Sequence, residues 1–142
     1  PLPLTNKLQR SSLNMTSTDW GGAMSTFGES YGHDGRSLEK IFEFETIGIT
    51  ITNAVKDLNI PEPEYMKVDV DGIEQLILSG GKKVLRNVKS LLIEVNDDFS
   101  VQEKEVTNIL TEAGLVLKEK RHSDLFSNSK NFGNLYNQIW SR

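Results

Sequence analysis

Apolar residues along the chain recur at two periods, and the switch between them marks out the elements. Short apolar stretches at 2–5 and about 10–15 predict two strands. IFEFETIGITI at 41–51 alternates, which places Phe42 and Phe44 on one face of a strand, with Thr46 in register behind them. TITNAVKDLNI then changes to a helical pattern: Thr50 or Thr52 can cap a helix that runs through Leu58, and Pro61 and Pro63 stop it. Tyr65–Val70 is the next strand. A helix follows over Ile73–Leu78, broken at Gly80-Gly81 and resumed for a turn to Leu85. SLLIEVN at 90–96 is almost continuously apolar, as expected of a strand buried on both faces. Val101, Val106, Ile109, Leu110 and Ala113 form one helical stripe, and Gly114 ends it. Strands at 115–121 and 134–140 close the chain, joined by a loop over 122–133.

From residue 50 the order is thus helix, strand, helix, strand, helix, strand, strand. Such alternation predicts an α/β fold, with a mostly parallel sheet and helices on both faces. The closing pair has no helix between its strands, so it is expected to be antiparallel. Residues 16–37, TSTDWGGAMSTFGESYGHDGRS, hold five glycines and form a long loop of the kind that carries function. Trp20, Phe27 and Tyr31 are too aromatic for a disordered linker; they are expected to pin this loop to the core or to cover a ligand.

At 142 residues the chain is long enough for one domain with its own core. A net charge of −4 argues against a nucleic-acid partner. No cysteine is present, which excludes disulfides and thiolate metal sites and fits a reducing, cytoplasmic compartment. No apolar run reaches the roughly 20 residues that span a bilayer, so no membrane partner is expected. PLPLTNKLQR has neither an apolar signal core nor a starting Met, and the chain is expected to begin within a longer protein.

Charge on the Tyr65–Val70 strand is the chemical feature of this sequence. Lys67, Asp69 and Asp71 are two residues apart and share a face. A buried charge is costly unless paired, so these groups must neutralise one another, face water or line a site. Lys67 can neutralise Asp69. Two strands end in acids, one in KVDVDG with Glu74 close behind, the other in IEVNDD with Glu94, Asn96, Asp97 and Asp98. Open α/β sheets place ligands at the carboxyl ends of neighbouring strands. Acids gathered there can hold a divalent cation, act as a general base or hydrogen-bond a polar ligand; a salt-bridged face under a polar helix is the structural alternative. Gly72 either permits the turn into the helix or leaves room for a ligand at the backbone.

Other motifs fail. With Gly72 at position 6 of an EF-hand loop, Lys67 falls at position 1 and Leu78 at position 12, which removes the ligands. No G-x-G-x-x-G opens a helix after a strand. His33 and His122 are far apart in sequence, and each is expected to be an ordinary surface histidine.

KVDVDGIEQLILSGGKKVL followed shortly by SLLIEV resembles the C-terminal half of the FkbM-type family of S-adenosylmethionine-dependent methyltransferases, with Lys67, Asp69, Asp71, Gly72, Glu74, Gly80, Ile93 and Glu94 at matching positions. PLPLTNK, GGAMSTFGE and NLYNQIWSR are similar to flanking parts of that family, so the likeness covers most of the chain. The resemblance implies a Rossmann-like methyltransferase sheet of seven strands with the last antiparallel. Residues 1–142 would be the C-terminal part of a single domain lacking its N-terminal strands, with 16–37 as the variable loop. It implies O-methylation of a hydroxyl on a small-molecule or glycan acceptor, with S-adenosylmethionine as cofactor and its main binding motifs upstream of Pro1. Asp69, with Asp71 or Glu94, is then expected to act as base, or as ligand to a divalent metal, with Lys67 tuning the acids. Two other readings stand beside this one: a non-catalytic α/β binding domain, and a nucleotide-sugar glycosyltransferase with a D-x-D metal motif.

Overall fold

The computed structural model describes residues 2–122 and 132–142. In chain order the elements are β1 (Gln9–Met15), β2 (Thr26–Phe27), β3 (Phe42–Gly48), α1 (Ile51–Asp57), β4 (Tyr65–Val68), α2 (Glu74–Ser79), α3 (Lys82–Leu85), β5 (Ser90–Asn96), α4 (Ser100–Glu112), β6 (Val116–Arg121) and β7 (Leu135–Ser141). They build an α/β chain with two sheets. One is antiparallel and ordered β2-β1-β3; the other is mixed and ordered β4-β5-β7-β6. The architecture is compatible with a Rossmann-like fold.

The mixed sheet carries the main core. β4 and β5 pair in parallel, with Val68 opposite Ile93. β7 lies between β5 and β6 and is antiparallel to both, so β4, β5 and β6 run in one direction and β7 against them. Leu91, Ile93 and Val95 alternate onto one face and are fully buried. Leu78 of α2, Leu85 of α3 and Val106 and Leu110 of α4 pack over them. These side chains leave water together, each contributing about 1.5–3 kcal/mol of transfer free energy.

Several expectations change here. The apolar run at 90–96 is buried on one face only; Leu92 and Glu94 on the other are half-buried. Helices were expected on both faces, but the described ones that meet this sheet pack on the Leu91–Val95 side. The sheet is mixed, with β4, β5 and β6 in one direction and the last strand, β7, against them; the added detail is that β7 is inserted between β5 and β6. The strand expected at 2–5 is reduced to a single bridge between Leu4 and Ile49. β4 ends at Val68, two residues short of the sequence pattern, because Val70 leaves the sheet to bond the Glu74 carboxyl. β2 was hidden inside the expected long loop, where two residues carry too little periodicity to show. Most of the loop expected at 122–133 lies outside the described residues.

Local chemistry sets the ends of the elements. The Thr50 hydroxyl accepts the Asn53 N–H and caps α1, as its position predicts. Gly114 takes φ +83 after α4, a conformation that favours glycine. Leu78, fully buried between α2 and the sheet, is the packing test: Leu78→Ala should cost about 2–5 kcal/mol, read as a lower urea midpoint with an unchanged slope.

Candidate functional site

β4 and β5 end side by side, and the residues just past them face the open side of the sheet. Lys67, Asp69, Asp71 and Glu94 together line a crevice of about 380 Å³. The sequence thus anticipated the grouping, and the alternative of a face closed under a polar helix does not hold. The Lys67 ammonium lies 2.6 Å from Asp69, and that pairing raises the lysine pKa. Asp69 also shares a hydrogen bond with Glu94. Asp71, in the same wall, also accepts the Ser25 N–H at 3.0 Å, which ties the glycine-rich loop to the strand end.

Burial and the two neighbouring aspartates push the Glu94 carboxyl up to about 7. A half-buried acid beside other acids resists becoming a further negative charge. Glu94 therefore changes protonation in the neutral range, where a general base works best.

Glu74 plays a different part from the one its position suggested. It is not in the crevice wall but buried beneath it, 2% exposed. One carboxyl oxygen accepts the Val70 N–H at 3.3 Å, and the other accepts the Gln102 side-chain N–H at 2.5 Å. The Gln102 carbonyl in turn accepts the Asn96 N–H at 3.1 Å. One chain of bonds thus links the end of β4 to the end of β5 through α2 and α4. Burial pushes the Glu74 carboxyl up to about 8. The remaining acids at the β5 end disperse: Asp97 pairs with Lys120 at 2.7 Å, and Asp98 accepts from Asn134.

Gly72 has φ +109, and a Cβ there would collide with the carbonyl oxygen of Gly32. Its freedom serves the turn and the close approach of the loop, not that of a ligand. Tyr31 packs edge-on against Phe99 at 5.3 Å, and Phe27 is 1% exposed, so these two aromatics pin the loop as expected. Trp20 does not: it stands fully in water.

Three wall residues escaped the sequence. His33 is not an ordinary surface histidine: its ring lines the crevice, both ring nitrogens are buried, and neither has a hydrogen-bond partner among the described residues. His122 is likewise partly covered and stacks on Tyr136 at 4.0 Å. Asn137 stands opposite Glu94 in the β5–β7 register and faces the same crevice. Met24 joins the wall in a left-handed conformation, φ +65, rare for its type. A polar residue in the apolar alternation of β7 was a signal for Asn137; nothing local marks His33 or Met24.

Among the described residues, no group of three His, Cys, Asp or Glu side chains converges to hold a metal ion. Asp69 is committed to Lys67 and Glu94, and Asp71 to the Ser25 amide. The carboxylates do not form a metal cage of their own. No helix among the described residues is long and apolar enough to cross a membrane.

No family model matches the chain, and no solved structure matches it at a significant level. The chain is 36% identical over 61 residues to the hexuronic acid methyltransferase AglP of Haloferax volcanii. That match covers 43% of this chain and 25% of the relative, so the chain spans about a quarter of the length of the protein it matches. The likeness supports a methyltransferase family.

The raised carboxyls set a pH dependence. Glu74 and Glu94 hold protons more tightly folded than unfolded, where both are near 4.5. Their stabilising effect is complete below about 4.5 and declines as pH rises through 7 and 8. Unfolding midpoints measured from pH 5 to 9 should therefore fall over that window. In Glu74→Gln the decline should be shallower and should end near pH 7.

Proposed function

We propose that the chain is the acceptor-side part of an S-adenosylmethionine-dependent methyltransferase of the FkbM type, which O-methylates a hydroxyl on a sugar-like acceptor. The Asp69–Glu94 carboxyl pair at the ends of two adjacent parallel strands carries this reading. Glu94 titrates near neutrality, and Lys67 pairs with Asp69 beside it. The likeness to a hexuronic acid methyltransferase adds a sugar acid as the kind of acceptor to try first.

A hydroxyl must lose its proton as it attacks carbon. Ionised Glu94 accepts that proton and, once protonated, donates it to Asp69 in the hydrogen bond the two carboxyls share. Asn137, across from Glu94, supplies an amide to the acceptor. Positioning contributes the rest of the rate, since the reaction is an in-line displacement. When bound, S-adenosylmethionine would supply the electrophilic methyl group and leave as the neutral thioether, while Glu94 takes the hydroxyl proton.

The donor's place is suggested by a second cavity. An apolar groove of about 570 Å³ runs along β4, with Leu4, Ile49, Val55, Leu58 and Tyr65 in its walls, and Lys67 belongs to both the groove and the acid crevice. Among the described residues β4 pairs only with β5, leaving its other edge free. Strands that bind the donor would add to that edge and bring the methyl group to the crevice at Lys67. This would make residues 1–142 part of one larger domain.

Methyl transfer to glucuronic acid and related polyols, assayed with the full-length protein and labelled S-adenosylmethionine, tests the proposal. Turnover should rise with pH through about 7. Asp69→Asn and Glu94→Gln should each lower kcat by about 10²–10⁴ with the fold intact. Full activity in a folded Glu94→Gln variant would overturn the assignment, and calorimetry showing no S-adenosylmethionine binding would overturn the activity itself.

A further inference from the structure

The acid crevice does not stop at Glu94. It continues into a second lobe of about 270 Å³, to which Asp34, Arg36, Asn96 and Asp98 contribute polar side chains. Met24, His33 and Phe132 belong to the walls of both lobes. His33 and Phe132 lie ring against ring, with centroids 5.0 Å apart, and form the waist between the two spaces. The chemistry on either side is alike: carboxylates and amides that bond hydroxyls, set beside the flat apolar ring of Phe132. Sugar rings fit such walls, because they offer hydroxyls at their rim and C–H groups on their faces.

His33 is the unusual member. An imidazole with both nitrogens out of water and no partner among the described residues loses hydrogen bonds it would make when unfolded. A half-turn about its Cβ–Cγ bond exchanges ring nitrogens with ring carbons and leaves the plane against Phe132. A nitrogen can thus be presented to a ligand without disturbing the stack. Asp34 pairs with Arg36 at 3.6 Å. That cation remains largely exposed and can meet a carboxylate as well as a hydroxyl.

We propose that the acceptor is a polyol of at least two linked rings, a glycan rather than a single sugar. One ring would sit at the acid pair and the next in the Arg36–Asp98 lobe, with His33 hydrogen-bonding the acceptor at the waist. This rests on the reading of the acid crevice as an acceptor site and extends it to substrate size.

The chain has two histidines, so its imidazole NMR signals are few enough to assign. The probes are glucuronic acid and a disaccharide of glucuronic acid linked to glucose, titrated without S-adenosylmethionine. Both should move the His33 signals and leave those of His122 in place. The disaccharide alone should move the Arg36 and Asp98 amides, and it should bind about tenfold or more tightly than the single ring. His33→Phe keeps a ring against Phe132 but removes the nitrogens; it should weaken disaccharide binding about tenfold with the amide spectrum otherwise preserved, and His33→Gln should restore part of the loss. Equal affinity for the two probes, or a His33 signal that stays still, overturns the inference. If Ser25 and Asp71 amides shift while His33 does not, the inference falls and the acid crevice keeps its acceptor role. If His33 and the second lobe respond but no methyl transfer is found, glycan binding stands and the methyltransferase reading falls.

Discussion

The buried Glu74 carboxyl is the joint on which the site depends. It reaches the Val70 N–H on one side and Gln102 on the other, and Gln102 continues to the Asn96 N–H. Asp69 and Asp71 flank Val70, and Glu94 lies two residues before Asn96. The chain of bonds therefore fixes the very backbone that carries the acids. An ionised carboxylate in this place would be costly to bury. Kept protonated by its surroundings, the same group joins two strand ends at much lower cost. It also ends β4 early, and past that end Asp69 and Asp71 take different partners: Lys67 and Glu94 for the first, the loop amide of Ser25 for the second.

Much of this was legible in the sequence, for identifiable reasons. The helical stripe from Val101 to Ala113, the Thr50 cap and the apolar run at 90–96 are local signals, and the elements follow them within a residue or two. The period-two spacing of Lys67, Asp69 and Asp71 placed them together, and Glu94 followed because neighbouring parallel strands end at the same level. What sequence period cannot convey is which strand becomes a neighbour. The insertion of β7 between β5 and β6 put Asn137 beside Glu94 and left one face of the sheet half-open. The two-residue β2 and the histidine in the loop were illegible for the same reason: their places are set by contacts far along the chain.

Gly72 shows how an ambiguous residue resolves. A glycine after D-x-D could serve a ligand or a turn. The carbonyl of Gly32 occupies the space a side chain would need, so the glycine serves the seating of a loop on a strand end. That loop then brings Ser25 to Asp71 and His33 to the crevice. A residue with no side chain thereby determines which side chains from a distant segment complete the wall.

The two tryptophans lie at opposite extremes of this arrangement. Trp20 is fully in water on the loop, whereas Trp140 of β7 is 3% exposed and its indole N–H donates to Gln138 at 2.9 Å. Intrinsic fluorescence should therefore be a mixture of two emitters, one red and quenched by iodide, the other blue and shielded. The molecule carries its own pair of optical labels, in which the first follows the loop above the crevice and the second the sheet beneath it.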